Sequence, residues 1–182
     1  SARESSFAVR DAWSKYKTTV DYGIIPLGLS KVAACISAGL PTRLYYVGYR
    51  NNAFDTHVQQ SDLHQRLLTY TSDAIYGFLR DMERIGQADR VSMLIFSEFG
   101  RRVGENASGG TDHGTAAPMF LVGAGVKPGL HGAYPSLTDL DGGDLKHTVD
   151  FRNVYAGLLR DWFDVAPKQV LDHPGEPVAL LA

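Results

Sequence analysis

"RVSMLIFSEFG", residues 90–100, holds an unbroken apolar run from Met93 to Phe96 and then turns polar at Ser97 and Glu98. A strand with one wet face alternates apolar and polar residues, whereas a strand covered on both faces reads as a continuous apolar run. The stretch is therefore expected to be an interior strand that delivers Glu98 to its C-terminal mouth. On its N-terminal side, Leu63, Leu67, Leu68, Ile75, Phe78, Leu79, Met82 and Ile85 approximate a 3.6-residue period, which predicts a long amphipathic helix over 61–85, stopped by Gly86. On its C-terminal side, "APMFLVGAGV" (117–126) is a second strand candidate. A third, "RLYYVGY" (43–49), is rich in aromatic and β-branched residues and bounded by Pro41 and "RNNAFD".

The remaining segments fit around these strands. "SSFAVRDAWSKYK" (5–17) and "LGLSKVAACISAGLP" (27–41) read as helices, the second stopping at Gly39 and Pro41. "DFRNVYAGLLRDWF" (150–163) places an apolar stripe behind an Asp150 cap. Residues 127–149, dense in glycine and aspartate, read mostly as loop. Helix, strand, helix, strand, strand, helix is the order of an α/β fold, a largely parallel sheet flanked by helices, taken as a single domain over 1–182. Right-handed crossovers would then gather three loops at one sheet edge, 51–61, 97–106 and 107–116.

Composition narrows the function classes. With 44% hydrophobic and 21% charged residues, the 182-residue chain has the profile of a globular protein that can bury a core. A net charge of -2, with its 18 Lys and Arg scattered, leaves no basic footprint for nucleic acid. No apolar run is long enough for a membrane-spanning helix. Cys35, the single cysteine, can form no intrachain disulfide and reads as a buried thiol. Neither a "GxSxG" elbow nor a "GxxxxGK" phosphate loop occurs, which disfavours a serine-triad hydrolase and a nucleotide site.

Each of the three loops carries metal-ligating side chains. The first has Asp55, His57 and His64, the second Glu98 with Arg101 and Arg102, the third Asp112 and His113 in "GTDHG". Imidazole and carboxylate together suit zinc, manganese or iron, and the lack of thiolates argues against a closed structural zinc site. Plainer readings stand beside this one. Asp112 can cap a turn, His57 can be a hydrogen-bonded loop residue, and His64, inside the long helix, can pack or orient a ligand. Glu98, at a buried strand end, needs an arginine, a metal or water, and Arg101 can supply the first of these.

"FDTH" (54–57), "SEFGRR" (97–102), "NASGGTDHGTAAPMFLVGAGVKPGLHGAYPSL" (106–137) and "TVDFRNVYAGLLRDWF" (148–163) together resemble the C-terminal half of the bacterial family called domain of unknown function 1501. That family is similar to the alkaline phosphatase and sulfatase superfamily, whose two-metal sites act on phosphate and sulfate esters. The resemblance implies Asp55, His57 and His113 as ligands of one metal, zinc or manganese, with Glu98 and Asp112 as further ligands or orienting groups. It also implies Arg101 as a stabiliser of negative charge, a small-molecule or glycan ester as substrate, and an extracytoplasmic location through twin-arginine export. Two departures from the superfamily pattern stand out. Phe99 occupies the position of a metal-binding histidine, and no recognisable nucleophile loop precedes Asp55. The second departure suggests a C-terminal portion of a larger domain, lacking its N-terminal half, with an open sheet edge that invites self-association. The expectation is a metal-dependent ester hydrolase; the alternative, favoured by Phe99, is a catalytically degenerate exported binding protein of the same fold.

Overall fold

The structure, a computed structural model, describes residues 2–49 and 51–182; Arg50, in the "RNNAFD" boundary, lies outside the described residues. The chain forms two compact units, Ser1–Val91 and Ser92–Ala182.

The first unit is helical: α1 (Ala2–Lys15), α2 (Leu29–Ser37) and α3 (Gln60–Arg84), with α2 packed against both α1 and α3. Small side chains on α2 allow the close approach. Ala33, Ala34 and Cys35 are buried there, facing a core that includes Leu67, Ala74, Phe78 and Met82 of α3. Both glycine stops read from the sequence form. Gly39 and Gly86 take φ of 66° each, and the next residue's N–H reaches back to a carbonyl five positions earlier, Leu40 to Cys35 at 3.1 Å and Gln87 to Met82 at 2.8 Å. The long helix departs from its apolar pattern in one respect. Leu63 and Leu68 are about half exposed, at 47% and 49%, while Asp81 is fully buried.

Asp81 is the polar centre of this unit. Its carboxylate accepts hydrogen bonds from the hydroxyls of Tyr16 (2.7 Å), Tyr22 (2.6 Å) and Thr18 (2.9 Å) and from Nε of Arg84 (2.7 Å). The α1–α2 connection is thereby pinned onto α3. Gly77 gives it room, since a Cβ there would stand 2.4 Å from the Asp21 carbonyl oxygen. Burial, reinforced by the hydrogen bond to Asp81, pushes the Tyr16 phenol up to about 12 and raises Tyr22 further.

Residues 43–49, expected to be a strand, form none. A strand needs a neighbour to satisfy its backbone, and no described strand pairs with this segment. Leu44 and Tyr46 are exposed, at 74% and 82%.

The second unit carries three antiparallel strand pairs and one helix. β1 (Ser92–Ile95) pairs with β4 (Phe120–Gly123) in the register Ser92↔Gly123 to Ile95↔Phe120. β2 (Gly100–Arg101) pairs with β3 (His113–Gly114), and β5 (Leu140–Asp141) with β6 (Asp144–Leu145). Among the described residues these pairs and one isolated antiparallel bridge, Val126↔Leu181, make up the β pairing, and no two strands run parallel. β1 and β4 thus form where the sequence placed strands, but β1 is half-buried along its length and Phe96 is 42% exposed. The β5–β6 hairpin, inside the segment read as loop, turns through Gly142 and Gly143 at φ 57° and 94°, the two-residue left-handed geometry that glycine permits. α4 (Phe151–Asp161) begins as expected, the Asp150 carboxylate accepting from the Arg152 N–H at 2.8 Å. Val154 and Ala156 of α4 are buried, as are Leu180 and Leu181 near the end of the chain. No helix among the described residues is long and apolar enough to cross a membrane.

Candidate functional site

In the first unit, the 51–60 turn presents Asp55 and His57. Asn51 and Asn52 take φ of 58° and 49°, a left-handed conformation that asparagine tolerates better than most residues. The Asp55 N–H then closes back on the Asn52 carbonyl at 2.8 Å. Phe54 anchors the turn, its ring edge-on to Tyr49 (5.1 Å) and His64 (5.7 Å). His64 therefore packs, as its helical position suggested. Thr56 is buried, and its hydroxyl accepts from Nε2 of Gln60 at 2.8 Å, which ties the turn to the first residue of α3. With Thr56 facing inward, Asp55 and His57 on either side of it face solvent.

Nε2 of His57 lies 2.9 Å from Oδ1 of Asp55, with the two side chains 39% and 43% exposed. A pair this open is worth only about 0–1 kcal/mol to the fold, so stability gives little reason for it. Its spacing suits a metal. Two donors at about 2.0–2.2 Å from a zinc ion, separated by about 90–109° at the ion, stand about 2.8–3.6 Å apart. Asp55 and His57 therefore qualify, within the first unit, as two candidate donors for a divalent ion.

In the second unit, β2 and β3 form the frame for His113. Arg101 stands directly across from it, and cross-strand partners of this kind bring their Cβ atoms to about 4.5–5.5 Å on one face. Phe99, two residues before Arg101, lays its ring 5.0 Å from the His113 imidazole. The ladder is tight at its glycines: a Cβ on Gly100 would fall 1.8 Å from the Ala116 carbonyl oxygen, and one on Gly114 2.6 Å from the carbonyl carbon of Arg101. Glycine is the residue that permits this approach. The Arg102 guanidinium reaches the Gly142 carbonyl and the Asp144 carboxylate, and the Thr115 hydroxyl donates to the Leu145 carbonyl at 2.7 Å. The β5–β6 hairpin therefore braces the β2–β3 frame.

Three of the residues singled out in the sequence take different positions. Glu98 is exposed at the end of the β1 segment and, among the described residues, belongs to no group of three metal-ligating side chains. Solvent answers the need for a partner that burial would have imposed on it. Asp112 is outside such a group as well; its carboxylate accepts from Nδ2 of Asn106 at 3.1 Å and its backbone carbonyl from the Arg102 N–H at 3.0 Å. Arg101 uses Nη1 to donate to the Thr111 carbonyl at 2.6 Å, so it also shapes the loop that leads into His113. Asn106 is the residue that sequence reasoning passed over. An asparagine ahead of "SGGTD" is a turn-forming signal, legible once the loop is the question.

Residues 40–170 match the family model described as "Protein of unknown function (DUF1501)". No curated protein and no solved structure matches the chain.

Proposed function

We propose, taking as premise that this chain belongs to the DUF1501 family, that it is a metal-dependent hydrolase-like protein acting on phosphate or sulfate esters. The observation that carries the reading is the Asp55–His57 pair, with carboxylate and imidazole 2.9 Å apart on a turn whose neighbouring side chains hold it open. Asp55, His57 and His113 are the ligands in this reading, and zinc or manganese the ion. Bound there, the metal would supply Lewis acidity toward an ester oxygen and a lowered pKa for a coordinated water. Arg101, across the ladder from His113, offers a planar guanidinium of the kind that binds phosphate or sulfate oxygens in pairs. Asp112 is assigned to orienting the His113 segment, and Glu98 to solvent-side contact with substrate or ion. The reading includes the α/β architecture of the alkaline phosphatase and sulfatase superfamily, a small-molecule or glycan ester as substrate, and an extracytoplasmic location.

Metal analysis by plasma mass spectrometry after dialysis tests the ligand assignment. Wild-type protein is expected to retain stoichiometric zinc or manganese, and His57→Ala and His113→Ala to lose it; equal metal in all three would refute the assignment. Aryl phosphate and aryl sulfate hydrolysis, with and without chelator, then tests the activity. Phe99 against His113 favours a second reading, a catalytically silent binding protein, because phenylalanine cannot coordinate. Retained metal with no hydrolysis of either ester class would select it.

A further inference from the structure

Asn106 organises the third loop from both sides of its amide. Its backbone N–H donates to the Gly110 carbonyl at 2.8 Å, and its carbonyl accepts from the Gly109 N–H at 3.1 Å. Its side-chain Oδ1 accepts from the N–H groups of Ser108 (2.9 Å) and Gly110 (3.1 Å), while Nδ2 donates to Oδ1 of Asp112 at 3.1 Å. One planar group thus holds the turn backbone with its acceptor and a carboxylate with its donor. A primary amide is suited to both tasks, since aspartate lacks the donor and serine has neither the reach nor the second functional group. Beyond the turn, the Asp112 carbonyl is taken by the Arg102 N–H at 3.0 Å, and the chain enters β3 with the His113 ring 5.0 Å from Phe99.

We infer that Asn106 is a positioning residue of the candidate site: it presets the 108–112 turn and the Asp112 carboxylate, so that His113 leaves the loop at a fixed place against Phe99. Its consequence for metal binding rests on the function proposed above. A loop already ordered loses little conformational entropy when an ion binds. Without the clamp, that ordering is deferred to the binding step. Partners that orient ligands in this way typically change metal affinity by about 10- to 100-fold.

The test reads His113 in the full chain before any metal is added. Its imidazole C–H resonances are identified in proton NMR by their loss in His113→Gln, and the contribution of the Phe99 ring is the difference between wild type and Phe99→Leu. Asn106→Ala is expected to abolish most of that contribution. Asn106→Asp keeps both acceptor bonds to the Ser108 and Gly110 N–H groups, so a role confined to shaping the turn would survive it. A role exerted through Asp112 would not, because two carboxylates then face each other. The exchanged pair Asn106→Asp with Asp112→Asn restores a donor opposite an acceptor and should return the His113 resonances toward wild type. Resonances unmoved in Asn106→Ala, or restored as fully by Asn106→Asp alone as by the exchanged pair, would overturn the inference. Titration with cobalt(II) follows, with at least about tenfold weaker binding expected for Asn106→Ala. A wild-type chain that takes up no cobalt would overturn the metal reading instead, with the histidine resonances still deciding the role of Asn106.

Discussion

Removing the buried carboxylate in Asp81→Ala should cost the first unit about 3–5 kcal/mol, the range for breaking a buried charged network from one side. The largest single contribution is at Tyr22. The residue is only 5% exposed, so its hydroxyl would lose its 2.6 Å acceptor with little access to water, at about 1–3 kcal/mol. Tyr16 and Thr18 are part-buried and can recruit water. Loss of packing where Asp81 was fully enclosed adds to the deficit. Asp81→Asn retains the volume and one oxygen acceptor and should cost about 1–2 kcal/mol.

The two variants also differ from wild type in acid. Burial tends to raise the Asp81 carboxyl, but hydrogen bonds from Tyr22, Tyr16, Arg84 and Thr18 outweigh it and hold the group below its ordinary value of 3.8. A carboxyl with a depressed folded-state pKa contributes stability above its unfolded value and loses it as pH falls through the folded value. Wild type should therefore weaken below about pH 4 through this group, and Asp81→Asn should lack that component. Urea denaturation followed by Trp13 fluorescence, in a Trp162→Phe background, reports on the first unit. A loss below about 1 kcal/mol for Asp81→Ala would refute the account, because it would mean that Tyr22 finds another partner at no cost.

Two further outcomes are expected in the second unit. Gly100→Ala places a Cβ 1.8 Å from the Ala116 carbonyl oxygen, against backbone that cannot rotate away, and should cost about 3 kcal/mol or more; a wild-type thermal melt by circular dichroism would contradict the close β2–β3 packing. Asp150→Ala removes the α4 cap and should cost about 1 kcal/mol. The Arg152 guanidinium and N–H hold the Asp150 carboxyl down to about 2, so the capping contribution is present above the ordinary carboxyl range and fades as pH falls toward 2. Urea titrations at pH 7 and pH 2 should therefore separate variant from wild type at the first and bring them together at the second.

Several elements were legible because their signals are local. The glycine stops at Gly39 and Gly86, the Asp150 cap and the period of α3 depend on neighbouring residues, and each forms within a residue or two of its expected place. The run Met93–Phe96 was expected to be a strand buried on both faces. Met93–Ile95 lie in β1, but Phe96 falls outside it and the strand is only half-buried. Neither its partner nor its cover can be inferred from the run itself. It pairs antiparallel with β4, and pairing depends on a residue some 30 positions away that no local pattern specifies. "RLYYVGY" shows the same limit more sharply: β propensity describes a side-chain preference for a pleated surface, and without a paired neighbour among the described strands the segment forms none. Asp81 was hidden for a related reason. A lone aspartate on an apolar stripe looks like a solvent-facing interruption until the partners contributed by the α1–α2 connection are seen.

By itself, then, the sequence determined the helices, their stops and caps, and the chemical inventory of the candidate site, Asp55, His57, Glu98, Arg101, Asp112 and His113, because residue type and short-range spacing are properties of a chain. Tertiary structure alone decided which of those groups stand together and in what state. It set Asp55 against His57 on a held turn, put Arg101 and Phe99 beside His113, tied Asp112 to Asn106 and left Glu98 exposed. The physical reason is that a ligand set or a hydrogen-bond network depends on distances of about 3 Å between atoms, and those distances are fixed by packing and strand register, which are not written in any single stretch of the chain.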